Sequence, residues 1–326
     1  MLLELADLVD TGNKMRTFTP QTKTMNIVLM DGGLGDHIAS LVAVDYISKR
    51  YPWVKILLWA PDFLLDFANN VLSTKIDIKG FSQMRGNYHP AKASKTTKWD
   101  GMTSPMKIHL VDYAFLKLCD ELPYMSDKNY LQLDWANDYT AKIFEKYVVI
   151  TTGYTAKVRE FPAKSVNEIA KYLNLKGYIP VFLGQKQTKT GANHVIKGHF
   201  DEQIDFTVGM DLIDKTNLMQ AAVIMANANA VIGVDNGLLH VAGCTQVPIV
   251  AGFTTVSPNA RLPIRHNQIG WNCYPVVPDS TLNCSFCQEK TNFLFGHDYT
   301  KCMYKDYLCT SQMTSDKFIT ELEKIL

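Results

Sequence analysis

Twice along this chain a short, unbroken apolar run ends in a glycine turn and gives way to a helical pattern, and no other feature constrains the fold as strongly. MNIVLM, from Met25, runs into DGGLGD (residues 31–36) and then HIASLVAVDYISKRYP. A continuous apolar run of this length suits a strand buried on both faces, and apolar residues at three- and four-residue spacing suit a helix packed over it. KILLWA (55–60) and PDFLLDFANNVL repeat the pair, with Pro61 and Asp62 opening the helix. Strand, helix, strand in alternation predicts a parallel sheet. The rhythm lapses over residues 80–107, and IHLVDYAFLKLCDEL resumes a helix. A stretch that long without periodicity is usually functional or mobile.

The alternation then restarts. YVVITTG (147–153) reads as a strand and turn, SVNEIAKYLNLKG as a helix closed by Gly177, and YIPVFLG as the next strand. LMQAAVIMANA is a helix, AVIGVD a strand ending at Asp235, NGLLHVAGCT a turn and helix, and VPIVAGF another strand. Each half therefore reads as a Rossmann-type unit. The expected layout is an N-terminal extension over 1–24, a first unit over 25–142 and a second over 143–311. The second unit holds a Cys-rich segment, 273–309, and a C-terminal helix follows over 312–326, capped by Thr314 or Ser315.

Composition narrows the class. The chain has 326 residues, 47% of them hydrophobic and 20% charged, which excludes a disordered tail, a collagen-like fibre and a small disulfide scaffold. Lys plus Arg number 33 against 32 Asp plus Glu, so no global field draws the protein to nucleic acid or membrane. Any polyanion site must be local. The N-terminus has acids where a signal peptide needs a basic start, and no run is apolar enough to span a bilayer; both predict a cytoplasmic protein without a transmembrane segment. Seven cysteines in such a chain read as reduced thiols, with or without a metal.

In a parallel α/β sheet, ligands sit outside the carboxyl ends of the strands, where turns lead into helix N-termini. DGGLGD is one such place. It lacks the G-x-G-x-x-G spacing and no acid closes the next strand, which disfavours NAD. Gly32, Gly33 and Gly35 leave room for a ligand against the backbone, and Asp36 either caps the following helix or acts on that ligand. GVDNGLLH (233–240) is the second place. There Asp235 leaves the strand, Asn236 and Gly237 turn, and the helix start offers N–H groups and a dipole to a diphosphate. His240 lies one turn in, either on the same anion or in the core.

Taken together, DGGLGD, the turn TTGYTAKVREFP and VIGVDNGLLHVAGCTQVPIVAGF resemble glycosyltransferase family 9, the ADP-heptose:lipopolysaccharide heptosyltransferases, in order and spacing over residues 25–311. The resemblance implies a GT-B fold, two Rossmann-like domains with parallel sheets facing across a cleft, the nucleotide sugar held mainly by the second. It implies Asp36 as general base. It places Arg159 where relatives carry the Lys of K-x-W-P, with Phe161 in place of Trp. Asp235, Asn236, Gly237, Leu238 and His240 match the donor-binding turn, Asn236 replacing the usual Ser or Thr. Gly33 and Gly35 line the donor from the first unit, and Lys157 assists Arg159.

The implied reaction is an inverting, metal-independent transfer of a sugar from a nucleoside diphosphate sugar to an acceptor hydroxyl. A hydroxyl with a pKa far above 7 needs a base in the transition state, which is Asp36. The anomeric carbon becomes oxocarbenium-like while the departing diphosphate gathers charge, which Arg159 and the helix after Asp235 would meet. No catalytic cofactor is required.

Two further features carry chemistry. Cys284, Cys287, Cys302 and Cys309 form C-x2-C-x14-C-x6-C, which either closes a tetrahedral structural zinc site or remains plain thiols; Cys273 and His297 are substitute ligands. The stretch from Gly80 to Trp99 has Arg85, Lys92, Lys95 and Lys98, no acid, and the rings of Phe81, Tyr88 and Trp99. Basic residues interleaved with rings suit a polyanionic or sugar-bearing acceptor, and a solvated Lys-rich loop is the plain alternative.

The acceptor is thus expected to be a glycan or lipopolysaccharide. Only 6 of the 33 basic residues are Arg, a bias typical of AT-rich genomes, and Arg clamps phosphate bidentately where Lys does not. The alternative is therefore a viral DNA glycosyltransferase acting on a hydroxylated base. Two further alternatives share the architecture, a sugar-nucleotide epimerase and a non-catalytic nucleotide-binding relative.

Overall fold

The computed structural model describes residues 22–30, 32–84, 95–97, 108–119, 122–134, 136, 143–153, 156–189, 195–197, 203–290 and 301–326. The first half builds a four-stranded parallel sheet. Its strands are β1 (Thr24–Val28), β2 (Lys55–Ala60), β3 (Asp77–Gly80) and β4 (Lys95–Thr96), in the order β3-β2-β1-β4. Between them run α1 (Leu34–Arg50), α2 (Leu65–Val71) and α3 (Leu110–Leu118). The helix expected from Pro61 begins as a 3-10 turn, Asp62–Leu64, before α2. β4 is a strand inside the stretch expected to lack structure, and it sits there because Ile27 and Val28 of β1 pair with Lys95 and Thr96. Two residues are too few for a periodicity to show.

The second half builds a six-stranded sheet around β5 (Tyr147–Thr151) and β6 (Ile179–Leu183). After a two-stranded antiparallel pair, β7 (Gln187–Lys189) and β8 (Val195–Lys197), come β9 (Met210–Asp211), β10 (Ala230–Val234) and β11 (Ile249–Gly252). A second antiparallel pair, β12 (Ile264–Arg265) and β13 (Gln268–Ile269), precedes β14 (Cys273–Val276). The order is β14-β11-β10-β5-β6-β9 and every pairing is parallel. The helices are α4 (Ala163–Leu175), α5 (Leu218–Ala226), α6 (Gly237–Gly243), α7 (Pro258–Arg261), α8 (Cys287–Lys290), α9 (Leu308–Ser311) and α10 (Ser315–Leu322).

The continuous apolar strands are buried on both faces, as their sequences require. Along β10, Ala230, Ile232 and Val234 face one core with Val148, Phe161 and Val250, while Val231 faces the other with Val149 and Ile249. α10 lies on the first of these cores against α4, β11 and β14, with the Phe318 ring stacked on Phe161 at 4.6 Å. The C-terminal helix, counted separately on sequence, is therefore packed as part of the six-stranded unit. The second core is continuous with that of the first sheet, through Leu239, Val241 and Ala242 of α6 and Ile38, Leu41 and Val42 of α1.

Chain order reverses between β5 and β10, so the carboxyl ends of these two strands flank a crevice of the kind where doubly wound sheets bind ligands. β1 plays the same part in the first sheet, between β2 and β4. Among the described residues, no helix is long and apolar enough to cross a membrane.

Candidate active site

The two glycine turns singled out in the sequence meet. α1 packs on α6, and the contact is backbone-close because glycines stand on both sides. A Cβ built on Gly35 would lie 2.4 Å from His240 Cδ2, and one on Gly237 would lie 2.8 Å from Leu34 Cβ. Neither position has space for a side chain. Gly32, with φ +111°, sits in the left-handed region and folds the turn so tightly that a Cβ there would strike Asp36 Cβ at 2.5 Å.

Asp36 is the third residue of α1, half-buried, and its Oδ2 accepts the N–H of Gly33 at 2.8 Å. The capping role therefore exists, and it occupies one of the two carboxylate oxygens. The same carboxylate belongs to the charges felt by His240 and Tyr130, and α1, which carries it, packs on α6 at the junction of the two units.

Asp235 follows β10 and is buried between two guanidinium groups. Arg159 Nη1 is 3.6 Å from Asp235 Oδ2 and Arg261 Nε is 4.0 Å from the same oxygen. Arg159 comes from a 3-10 turn, Lys157–Arg159, after β5; Arg261 ends α7 after β11. Lys157, expected to assist Arg159, instead pairs with Glu160 and is half-exposed. The i,i+3 spacing on a tight turn brings that pair together.

Asn236 is the N-cap of α6. Its Oδ1 accepts from Leu238 N at 3.0 Å and Leu239 N at 3.2 Å, and its Nδ2 donates to Thr151 Oγ1 at 3.4 Å, tying β10 to β5 across the crevice. This corrects an expectation. The N–H groups of Leu238 and Leu239 are already used, because Asn is among the strongest capping residues. The cations of this corner are Arg159 and Arg261, beside Asp235.

His240 is 3% exposed. Its Nδ1 is 2.8 Å from the hydroxyl of Tyr130, which is itself buried. Burial lowers its pKa to about 4; Asp235 and Asp36 pull the other way, and Arg261 and His109 add to the lowering. The ring is thus neutral at pH 7 and lies in the seam between the units, not in the open crevice. His109 joins the same seam. Its Nε2 lies 3.0 Å from Leu262 O and its Nδ1 accepts from Val111 N, which fixes the proton on Nε2, and burial lowers its pKa as well.

Tyr130, His109 and Arg261 were not singled out on sequence. Arg261 had a legible signal, since Ser257-Pro258 marks a helix start just past the carboxyl end of β11. Tyr130 and His109 carry none, because only long-range packing brings them here.

The four cysteines of the C-x2-C-x14-C-x6-C pattern come together in space. Burial, with the charges of Cys309, Cys284 and Cys302, pushes the Cys287 thiol up to about 11; burial with Asp306 and Cys302 raises Cys284, and burial with Cys284 and Cys302 raises Cys309. None of the four is in a disulfide, and among the described residues no group of three His, Cys, Asp or Glu is arranged as a metal site. Cys273 is not with them. It begins β14, where Arg265 Nη2 donates to its Sγ at 3.2 Å. The segment bearing Cys284 and Cys287 is stitched to the loop before α7, with Phe286 N donating to Thr254 O, Gln288 N to Thr255 O and Ser257 N to Glu289.

Of the basic acceptor stretch, Lys95 lies on β4, while Arg85, Lys92 and Lys98, with Tyr88 and Trp99, lie outside the described residues, as does His297.

The model of glycosyltransferase family 9 (heptosyltransferase) matches residues 83–292. Lipopolysaccharide heptosyltransferase 2 of Salmonella typhimurium is 30% identical over 108 residues, 33% of this chain and 30% of that protein. Lipooligosaccharide heptosyltransferase 2 of Haemophilus influenzae is 28% identical over 156 residues, 44% of each chain. The chain thus aligns with less than half the length of these curated relatives. Among solved structures, the iron-containing dodecameric glycosyltransferase TibC from enterotoxigenic E. coli superposes with a TM-score of 0.71 at 16% identity, over 93% of this chain and 76% of that one. E. coli ADP-heptose lipopolysaccharide heptosyltransferase II gives 0.61 at 16% identity, over 92% and 98%. At these identities the likeness is one of fold, the two-unit GT-B arrangement.

Proposed function

The chain belongs to glycosyltransferase family 9, the heptosyltransferases, and from that premise we propose that it transfers a sugar from a nucleoside diphosphate sugar, of the ADP-heptose type, to a hydroxyl of a lipopolysaccharide or related glycan. The observation that carries the reading is the packing of the glycine turn that bears Asp36 against the helix that follows Asp235, which is flanked by Arg159 and Arg261. One side supplies a carboxylate and the other supplies two cations, as displacement of a diphosphate by a hydroxyl requires.

In this reading the diphosphate enters beside Arg159 and Arg261, which exchange part of their attraction to Asp235 for the phosphate oxygens. Arg is suited to this because its planar fork binds two oxygens at once. Asp36 takes the acceptor proton through the carboxylate oxygen that Gly33 does not occupy, and attack from the face opposite the diphosphate inverts the anomeric centre. The arginines meet the leaving-group charge, so the displacement calls for no metal of its own. The reaction draws on a soluble nucleotide sugar, consistent with a cytoplasmic site of action.

The four clustered thiols are assigned a structural metal ion. Four cysteine thiolates are a donor set that tetrahedral zinc or iron takes, and TibC is described as iron-containing; the thiols as they stand would have to close around the ion. Held there, the ion would fix the 284–290 segment and, through it, the loop leading to Arg261.

The test is transfer itself. Incubated with ADP-heptose and a heptose-deficient lipopolysaccharide core, the protein is expected to release ADP and extend the core by one sugar. Release of ADP with no acceptor present, or no turnover with any nucleoside diphosphate sugar, would contradict the reading.

A further inference from the structure

We propose that Tyr130 is a positioning residue: its hydroxyl donates to Nδ1 of His240 and so fixes the imidazole as the neutral Nε2–H form, with that edge of the ring set against the glycine turn that carries Asp36. The purpose of this arrangement rests on the glycosyltransferase reading above; the arrangement itself does not.

The two side chains come from opposite units. Tyr130 lies beyond α3, in a segment strapped onto the second unit through Tyr130 N to Ile264 O at 2.8 Å, Leu133 N to Cys244 O at 2.8 Å, and a reciprocal Asn129–Asn267 pair. The strap brings the phenol under α6, where its hydroxyl lies 2.8 Å from His240 Nδ1 and the two rings stack at 24°. Both side chains are almost fully buried, Tyr130 at 1% and His240 at 3%.

The direction of the bond follows from what each atom can offer. A buried phenol keeps its proton, and burial with the nearby Cys244 raises the Tyr130 pKa well above its usual range. That proton needs an acceptor, and Nδ1 is the acceptor at hand. Nδ1 offers a lone pair only if the ring proton is on Nε2. With the proton on Nδ1 instead, the phenol would have to accept, and its own hydrogen would be left buried without a partner.

Protonating both nitrogens is opposed by the seam. Arg261 and His109 stand against a second positive charge there, and burial outweighs the attraction of Asp235 and Asp36. His240 is therefore a permanent N–H donor across neutral pH. The contact with Gly35 shows where that edge lies, since a Cβ at Gly35 would be 2.8 Å from Nε2. In the transfer reaction the ring so fixed holds the turn beside Asp36 in place, and the carboxylate requires no reorganisation as the bond breaks.

The experiment is nitrogen NMR of histidine-labelled protein at pH 7, with no substrate, on wild type and Tyr130→Phe. The wild-type His240 is expected to carry its proton on Nε2 alone, and Tyr130→Phe to show both tautomers. Partners that orient a functional histidine are worth about 10- to 100-fold at metal sites, so Tyr130→Phe is expected to lower kcat about tenfold with a smaller change in donor KM. In a His240→Gln background the same substitution should change nothing further. A wild-type ring protonated on Nδ1, tautomers unaltered by Tyr130→Phe, or fully additive effects would overturn the proposal. Should the NMR result hold while no nucleotide sugar is turned over, the tautomer lock stands and it is the functional reading that fails.

Discussion

The imidazole of His240 rests on the backbone of Gly35, so closely that a methyl group at position 35 would lie 2.4 Å from Cδ2. This contact joins the helix after β1, which carries Asp36, to the helix after β10, which follows Asp235. Gly35→Ala must push the two helices apart. Overpacking of this kind costs about 1–3 kcal/mol, or roughly 1–5 °C in Tm for a chain of this size. Gly33→Ala is the control, since its added carbon meets nothing nearer than 3.8 Å. Thermal unfolding should separate the two; equal Tm values would mean that the helices do not meet as described.

Arg159 and Arg261 share Asp235, but they are not equivalent. Arg159 is 23% exposed on its side chain and Arg261 is 6% exposed. Arg159→Ala is expected to weaken ADP binding at least about tenfold by calorimetry, with little loss of stability. Arg261→Ala is expected to weaken binding and also to destabilise, because it leaves Asp235 buried with one partner fewer. Undiminished ADP affinity in both variants would remove the diphosphate from this corner.

Stability should fall on mild acidification through His240. Its folded pKa is about 4 against about 6.5 for an unfolded histidine, so between these values the unfolded chain binds a proton that the native chain refuses. The contribution is complete above about pH 6.5 and is lost as pH falls toward 4, on the order of 3 kcal/mol in all. His109 is shifted in the same direction. Urea denaturation at several pH values should show the slope, and His240→Gln should flatten it. A wild-type profile without slope between pH 6.5 and 4.5 would contradict the buried, neutral ring.

Much of this was legible in the chain. Strands such as AVIGV and YVVIT are continuous apolar runs because both faces of a parallel sheet are covered, and the glycine turns stand out because nothing with a Cβ fits at Gly35 or Gly237. What the sequence hid is short or non-local. β4 has two residues, and β14 is broken by Cys273 and Pro275, so neither shows a period. Asn236 was read as a replaced hydroxyl, whereas its amide bridges β5 and α6 by bonds a Ser could not span at once. Tyr130 is a single aromatic in a loop, and only the tertiary fold gives it a partner.

The cysteine cluster makes its own prediction. A cation bound by the four cysteines should be held as a thiolate complex at neutral pH and released on acidification, as the thiolates reprotonate. Elemental analysis is expected to find about one zinc or iron per chain, and a strong chelator should lower the Tm. Cys287→Ser should do the same without chelator. Protein free of metal with an unchanged Tm would leave the four as plain thiols.

In the proposed transfer, Asp36 acts on an acceptor held opposite a nucleotide sugar. Asp36→Asn tests it most directly, because an Asn oxygen can still accept the Gly33 N–H and so keep the start of the helix. Acceptor-dependent release of ADP from ADP-heptose should fall at least about 10²-fold in kcat, with donor affinity and Tm nearly unchanged. Transfer by Asp36→Asn at close to the wild-type rate would reduce Asp36 to a helix cap and contradict the account.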